Sequence, residues 1–344
     1  MNRKETKRKP YVTYDPIIGY RYIPNTEMQL TSPDGRKYTV KINSMGIRSD
    51  KEYSVKKPDN IFRVLVFGDS LTAGQYVNNE ERFTERLEEM FPDTEFVNFG
   101  LEGTGTDQQF LIFREYASVF EYDAVLLCPF VENIRRNTAR YRLTVDLKSE
   151  RWILTPKPRL EQKPDKTWGW TGIPVPRKRP FYDEASPDIL KDTDFGGSDM
   201  NRKFSDTLKA ALSRILEKTN TKGFLYSLIK YEPYGEYRDP SSGAWQNMKT
   251  ILAEFTKLVN DKKFIVAPLV PYSFLRYNLA STYRVRFSEE NPYFFDILPY
   301  LKDLSPENCK RCFIPDDCHF SSFGHERVAK ALADEFRRRK ILER

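Results

Sequence analysis

A chain of 344 residues holds one large domain or two small ones. With 39% apolar and 31% charged residues it is not disordered wholesale, and no apolar run approaches the roughly 18 residues that a bilayer span needs. The net charge of +7 sits at the ends: residues 1–10 and residues 337–344 carry +4 each, which leaves the body near −1. That distribution excludes a basic groove for a polyanion, so no nucleic-acid partner is expected. The charged start, without an apolar stretch, is not a secretory signal, and the chain reads as soluble and cytoplasmic.

The first 60 residues are extended and turn-rich, with Tyr14-Asp-Pro16, Pro33-Asp-Gly35 and the alternating Tyr38-Thr-Val-Lys-Ile42. They predict an arm with one hairpin. Ile61-Phe-Arg-Val-Leu-Val-Phe67 then reads as a strand buried on both faces. An amphipathic stretch over Arg82 to Phe91, a strand at Glu95–Phe99, a helix at Thr106–Phe120 and a strand at Asp123–Phe130 follow. This alternation predicts an α/β fold, a parallel sheet covered by helices. It stops near Arg140. Residues 141–200 are rich in Pro, Lys and Asp, hold Trp152, Trp168 and Trp170, and read as an insertion. Helical periodicity resumes at Asn201–Lys218 and Trp245–Asn260, a strand follows at Phe264–Val270, and Gly324 to Ile341 makes a last amphipathic helix. The domain is thus 61–344, with 141–200 inserted near its functional loops.

Ligands of such sheets bind where strands end. After the first strand comes Gly68-Asp69-Ser70-Leu71-Thr72, a turn that exposes a serine hydroxyl for nucleophilic attack, or else a serine that merely caps a helix. Thr72 stands where a G-x-S-x-G elbow has its second glycine. Activating that hydroxyl needs an imidazole oriented by a carboxylate, and the chain has two histidines, both in Asp316-Asp317-Cys318-His319 to His325. Asp316, three residues before His319, is placed to orient it, and Asp317 takes that part if the turn differs. His325 opens the last helix and suits capping or packing. The glycine-rich loop at Asn98–Gln108 offers backbone amides for an oxyanion, and Asn133, ending the third strand, offers a side-chain amide or closes the strand on itself. Cys309-Lys-Arg-Cys312, with Cys318 and His319, has the spacing of a zinc or redox site, but no second CxxC exists and His319 has other work. The four cysteines are read as structural thiols. No metal and no cofactor is called for.

Together these loops resemble the SGNH hydrolases, the GDSL esterases, lipases and carbohydrate deacetylases. Gly68-Asp69-Ser70-Leu71, Asn98 to Gly103, Asn133 and Asp316-Asp-Cys-His319 match the family's four blocks in order. The arm motifs Asp15-Pro-Ile-Ile-Gly-Tyr-Arg21 and Ile42-Asn-Ser-Met-Gly-Ile-Arg48 look like those of bacterial members with an N-terminal extension. The resemblance implies a three-layer α/β/α sandwich of flavodoxin-like type. It implies Ser70 as nucleophile, His319 as base and Asp316 as its orienter, with an oxyanion hole made by the amides of Ser70 and Gly103 and the side chain of Asn133. The third block departs from the family's Gly-x-Asn-Asp, reading Val131-Glu132-Asn133-Ile134. A lost oxyanion donor costs roughly 3 kcal/mol of barrier, about a hundredfold in rate.

Trp168 and Trp170, with Lys157, Arg159, Arg177 and Arg179, suggest an aromatic and cationic wall on which a sugar ring stacks, or simply anchors for a long loop. The expected activity is removal of a short acyl group, acetyl above all, from a small-molecule or glycan ester. Acyl transfer to a sugar hydroxyl by the same residues, or a carbohydrate-binding protein that has lost turnover, are the alternatives. Oligomeric state is not legible.

Overall fold

The computed structural model describes residues 10–146, 149–195, 226, 228–277, 279–302 and 304–343. The helix expected at Asn201–Lys218 and nearly all of the basic N-terminal tail lie outside them.

At the centre are four parallel strands: β5 (Phe62–Gly68), β6 (Thr94–Asn98), β7 (Ala124–Cys128) and β13 (Lys263–Val266), ordered β13-β7-β5-β6. Val64 pairs with Ala124 and Gly68 with Cys128, while Phe62 pairs with Thr94 on the other side. Every residue of β5 and β7 is buried, as continuous apolar runs demand of strands covered on both faces.

The strand order fixes the layers. The chain leaves β5 for β6 on one side, then crosses back over β5 to β7. Right-handed crossovers in opposite directions put their helices on opposite faces. Accordingly Phe96 of β6 meets Phe336 of α6 (Ser322–Arg338), which also packs on α2 (Phe83–Met90). Phe67 of β5 instead meets Phe113, just after α3 (Thr106–Ile112), and Phe255 of α5 (Gly243–Val259). In α5 the buried Trp245, Met248, Ile251, Leu252, Phe255 and Val259 form one stripe, and Ser242 Oγ caps it by accepting from Trp245 N at 3.2 Å. This is the three-layer α/β/α sandwich expected. The reversal falls between β5 and β7, and in such sheets ligands bind at the carboxyl ends of the strands at this point.

The arm makes two hairpins where one was expected: β1 (Val12–Asp15) with β2 (Gly19–Tyr22), and β3 (Thr26–Thr31) with β4 (Lys37–Ile42). The extra turn closes because Asp15 Oδ1 accepts from the backbone N–H of Ile17 at 2.8 Å and of Ile18 at 3.0 Å, a carboxylate mimicking a peptide carbonyl.

The inserted segment has strands of its own. Antiparallel β8 (Tyr141–Val145) and β9 (Trp152–Pro156) are joined by the short parallel β12 (Thr193–Asp194), and β10 (Arg159–Gln162) pairs with β11 (Trp168–Thr171). Lys157 pins it to the core: its ammonium forms a buried ion pair with Asp107 of α3 and donates to Ala139 O at 3.2 Å. No helix among the described residues is long and apolar enough to cross a membrane.

Candidate active site

Strand β5 ends at Gly68 and the chain turns at once into α1 (Ser70–Ala73). Gly68 admits no side chain, since a Cβ there lies 1.9 Å from Thr72 Oγ1 and 2.9 Å from Cys128 O. The helix cap is Asp69, whose Oδ1 accepts from Leu71 N at 3.1 Å. Its other oxygen accepts from Nη1 of the buried Arg136, from α4 (Asn133–Arg136), at 3.1 Å. Capping is thus Asp69's task, and the Ser70 hydroxyl is left for another partner.

That partner is His319. Its Nε2 stands 2.8 Å from Ser70 Oγ, across 249 residues of sequence. On the far side of the ring, Nδ1 is hydrogen-bonded to Oδ1 of Asp317, the same oxygen that accepts from the His319 backbone N–H at 2.9 Å. The orienting carboxylate is therefore Asp317 and not Asp316. Asp316 takes a left-handed conformation (φ 59°) and is exposed. The turn is closed by Ile314 N to His319 O at 2.9 Å and Asp317 N to Ile314 O at 3.1 Å, which brings the second aspartate under the ring. The edge of Tyr76 packs on His319, centroids 5.0 Å apart at 84°. Tyr76 is itself at positive φ (75°), which is costly for a bulky residue, and Arg36 holds its carbonyl at 2.9 Å. Burial disfavours a charged ring, but the hydrogen bonds to Asp317 and Cys318 outweigh it and raise His319 to about 10. Burial likewise works against Asp317, yet the ring holds its carboxyl below the usual carboxylate range.

In the second loop Asn98 ties strand to helix, donating to Thr72 O at 2.8 Å and accepting from Gly100 N at 2.8 Å. The next three carbonyls are each held from outside. Glu102 O accepts from Tyr20 Oη at 2.6 Å, Gly103 O from Arg142 Nη1 at 2.5 Å, and Thr104 O from Arg136 Nη1 at 2.9 Å. Because a trans peptide points its N–H opposite to its C=O, fixing Glu102 O fixes the direction of the Gly103 amide. Gly103, at φ 82°, has no room for a Cβ, which would stand 2.9 Å from Tyr20 Oη. Tyr20 thus orients the very amide singled out for an oxyanion hole, Arg142 fixes the peptide plane that follows it, and periodicity carries no mark of either.

Asn133 begins α4, beyond the end of β7. It is wholly buried, and among the described residues neither its Nδ2 nor its Oδ1 has a hydrogen-bond partner. Its backbone is engaged, N to Phe130 O at 2.7 Å and O from Asn137 N at 2.9 Å, so the side chain is not what closes the strand. A buried amide without partners is uncommon enough to demand an explanation, and a ligand atom is one.

Other expected residues go elsewhere. His325 is buried, accepts from Phe83 N at 3.3 Å and stacks on that ring, and burial pushes it well below the usual histidine value: it caps and packs. Trp170 stacks on Phe110 of α3 at 5.8 Å and 5°, with the Arg114 guanidinium 5.6 Å from its centroid. Trp168 lies on the same hairpin, partly buried against the core. These half-buried rings pack on the core, and three of the four expected cations are engaged elsewhere: Lys157 is paired with Asp107, Arg159 binds Thr138 O and Asp192, and Arg177 covers Tyr14. Cys128, Cys309 and Cys312 are buried and free, whereas Cys318 is exposed and free.

No protein-family model and no curated protein matches the chain. Among solved structures it is similar to a member of the lipolytic protein G-D-S-L family from Veillonella parvula DSM 2008, at 11% identity over 80% of this chain and 99% of that one, with a TM-score of 0.41. The lipase/acylhydrolase from Enterococcus faecalis shares 12% over 81% and 97%, TM-score 0.41. The psychrotrophic esterase EstA from Pseudoalteromonas sp. shares 11% over 82% and 99%, TM-score 0.39. At such identities and scores the likeness adds nothing to what the side chains themselves show.

Proposed function

We propose that this protein hydrolyses a carboxylic ester through an acyl-Ser70 intermediate, as its resemblance to the SGNH hydrolases implies. The observation that carries the reading is the unbroken chain from Asp317 through both ring nitrogens of His319 to Ser70 Oγ. Ser70 Oγ attacks the acyl carbon while His319 Nε2 takes its proton, and Asp317 holds the ring in the tautomer that leaves Nε2 free to accept. The tetrahedral oxyanion is met by the amides of Ser70 and Gly103 and by the orphan Nδ2 of Asn133. Collapse expels the alcohol, which receives the proton from Nε2. Water, deprotonated by the same nitrogen, then frees the acid and restores Ser70.

The substrate we assign is a short acyl ester, acetyl above all, on a carbohydrate. The sugar half has lost the tryptophan platform that first suggested it, so it stands as the finer claim. Purified protein should release p-nitrophenol from p-nitrophenyl acetate, and Ser70→Ala should remove that activity; equal rates in the two proteins would refute the assignment. Acetylated sugars compared with p-nitrophenyl acetate test the alcohol: a kcat/KM no higher for the sugars removes the carbohydrate claim and leaves the esterase.

A further inference from the structure

Oδ1 of Asp317, Sγ of Cys318 and Nδ1 of His319 lie within 4.8 Å of one another, with Sγ 3.9 Å from Nδ1. A tetrahedral zinc ion, with sulfur at ~2.3 Å and imidazole nitrogen at ~2.05 Å, holds those two atoms about 3.6 Å apart. The thiol and ring already stand a few tenths of an ångström from that bite. The carboxylate sits nearer to Nδ1 than a shared ion permits, about 3.4 Å for zinc, and rotation of the Asp317 side chain opens the gap. Cys318 is exposed, so an ion arrives from solvent without opening the core. A thiolate, a carboxylate and a neutral imidazole neutralise a divalent cation and leave its fourth position to water.

We infer that Asp317, Cys318 and His319 form a binding site for a thiophilic divalent cation such as zinc, and that filling it switches the hydrolase off. Binding expels the thiol proton to solvent and shifts the Nδ1 proton, until then donated to Asp317, to Nε2, which frees the Nδ1 lone pair for the ion. In a neutral ring metallated at Nδ1, the proton sits on Nε2, which then donates to Ser70 Oγ and no longer accepts from it. The base is lost while Ser70 and the fold remain intact. Cation binding stands on the three ligands alone; the switch rests on the hydrolase reading.

Full-length protein is titrated with zinc chloride by calorimetry, and with cadmium chloride while the ultraviolet thiolate-to-metal band is followed. One equivalent should bind, Cys318→Ser should weaken binding at least tenfold and abolish the band, and Cys309→Ser should change neither. A fluorophosphonate probe of Ser70 is run in parallel. Zinc should slow labelling at least tenfold, chelation by EDTA should restore it, and the Cys318→Ser protein should be insensitive. Equal zinc affinity in the Cys318→Ser protein, or no cadmium–thiolate band in the unaltered chain, overturns the site. Stoichiometric binding with unslowed labelling overturns the switch. Absence of labelling without any metal, beside a band that needs Cys318, sinks the hydrolase reading and leaves the cation site standing.

Discussion

Two additions flank the central sheet, and they grip it by different chemistry. The arm holds backbone: Tyr20 takes Glu102 O, Arg48 takes Ala73 O and Gly74 O at 2.8 Å each and Val77 O at 2.5 Å, and Arg36 takes Tyr76 O. The insertion holds mainly by buried charge, through Lys157 on Asp107 and Asp194 on Arg136, while Arg142 takes Gly103 O. A donor on a carbonyl sets the direction of a peptide plane, while an ion pair sets only where two elements meet. The arm is therefore built to orient the loops around Ser70, and the insertion to stay attached.

The sharpest test bears on the site that both flank. Asp317→Asn should lower kcat by about 10⁴, the cost of the wrong histidine tautomer, whereas Asp316→Asn should leave kcat within about twofold; the reverse order would return the orienting role to Asp316. On the insertion side, Lys157→Ala strands a buried carboxylate and should lower unfolding stability by about 3–5 kcal/mol. Joint replacement by Lys157→Met and Asp107→Leu should recover most of it in denaturant titrations. On the arm side, Tyr20→Phe keeps the ring and frees the peptide, so kcat should fall about tenfold, a fraction of the loss of a whole oxyanion donor, with unchanged KM and melting temperature. A loss of melting temperature instead of kcat would make the arm a mere clamp.

The smallest effect is in pH dependence. Only the neutral ring accepts a proton, so kcat/KM should climb with pH along an acid limb displaced above the ordinary histidine value of about 6.5, toward about 10. A limb at or below that value contradicts the hydrogen bonds described. The linked stability has two signs. Asp317, held low, contributes above the unfolded carboxylate range and loses this as pH falls through its folded value. His319, held high, contributes below about 6.5 and loses this as pH rises through about 10.

The sheet was legible because β5 and β7 are apolar runs that nothing but a doubly covered strand explains. The meeting of Ser70 with His319 was legible because a chain with two histidines offers few partners for the hydroxyl. The choice between Asp316 and Asp317 was not, since it turns on one positive φ that either sequence spacing accommodates. An aspartate accepting from the backbone two residues on was the available signal. Trp168 and Trp170 misled because composition records a ring and not its neighbour: Phe110, about sixty residues earlier, claims Trp170. Tyr20, Arg48 and Arg136 act on carbonyls, and a carbonyl is the same at every position of the chain.

Ser70 and His319 are 249 residues apart in sequence, and the last helix begins just after the histidine. During synthesis the arm and the serine emerge long before the ring that stands against the hydroxyl. A nascent or prematurely terminated chain cannot form that contact, and under the proposed function it is inert toward esters, however much of its sheet has formed. Proteolytic loss of the C-terminal segment removes His319 from Ser70 outright, so under the same reading no shortened product retains turnover.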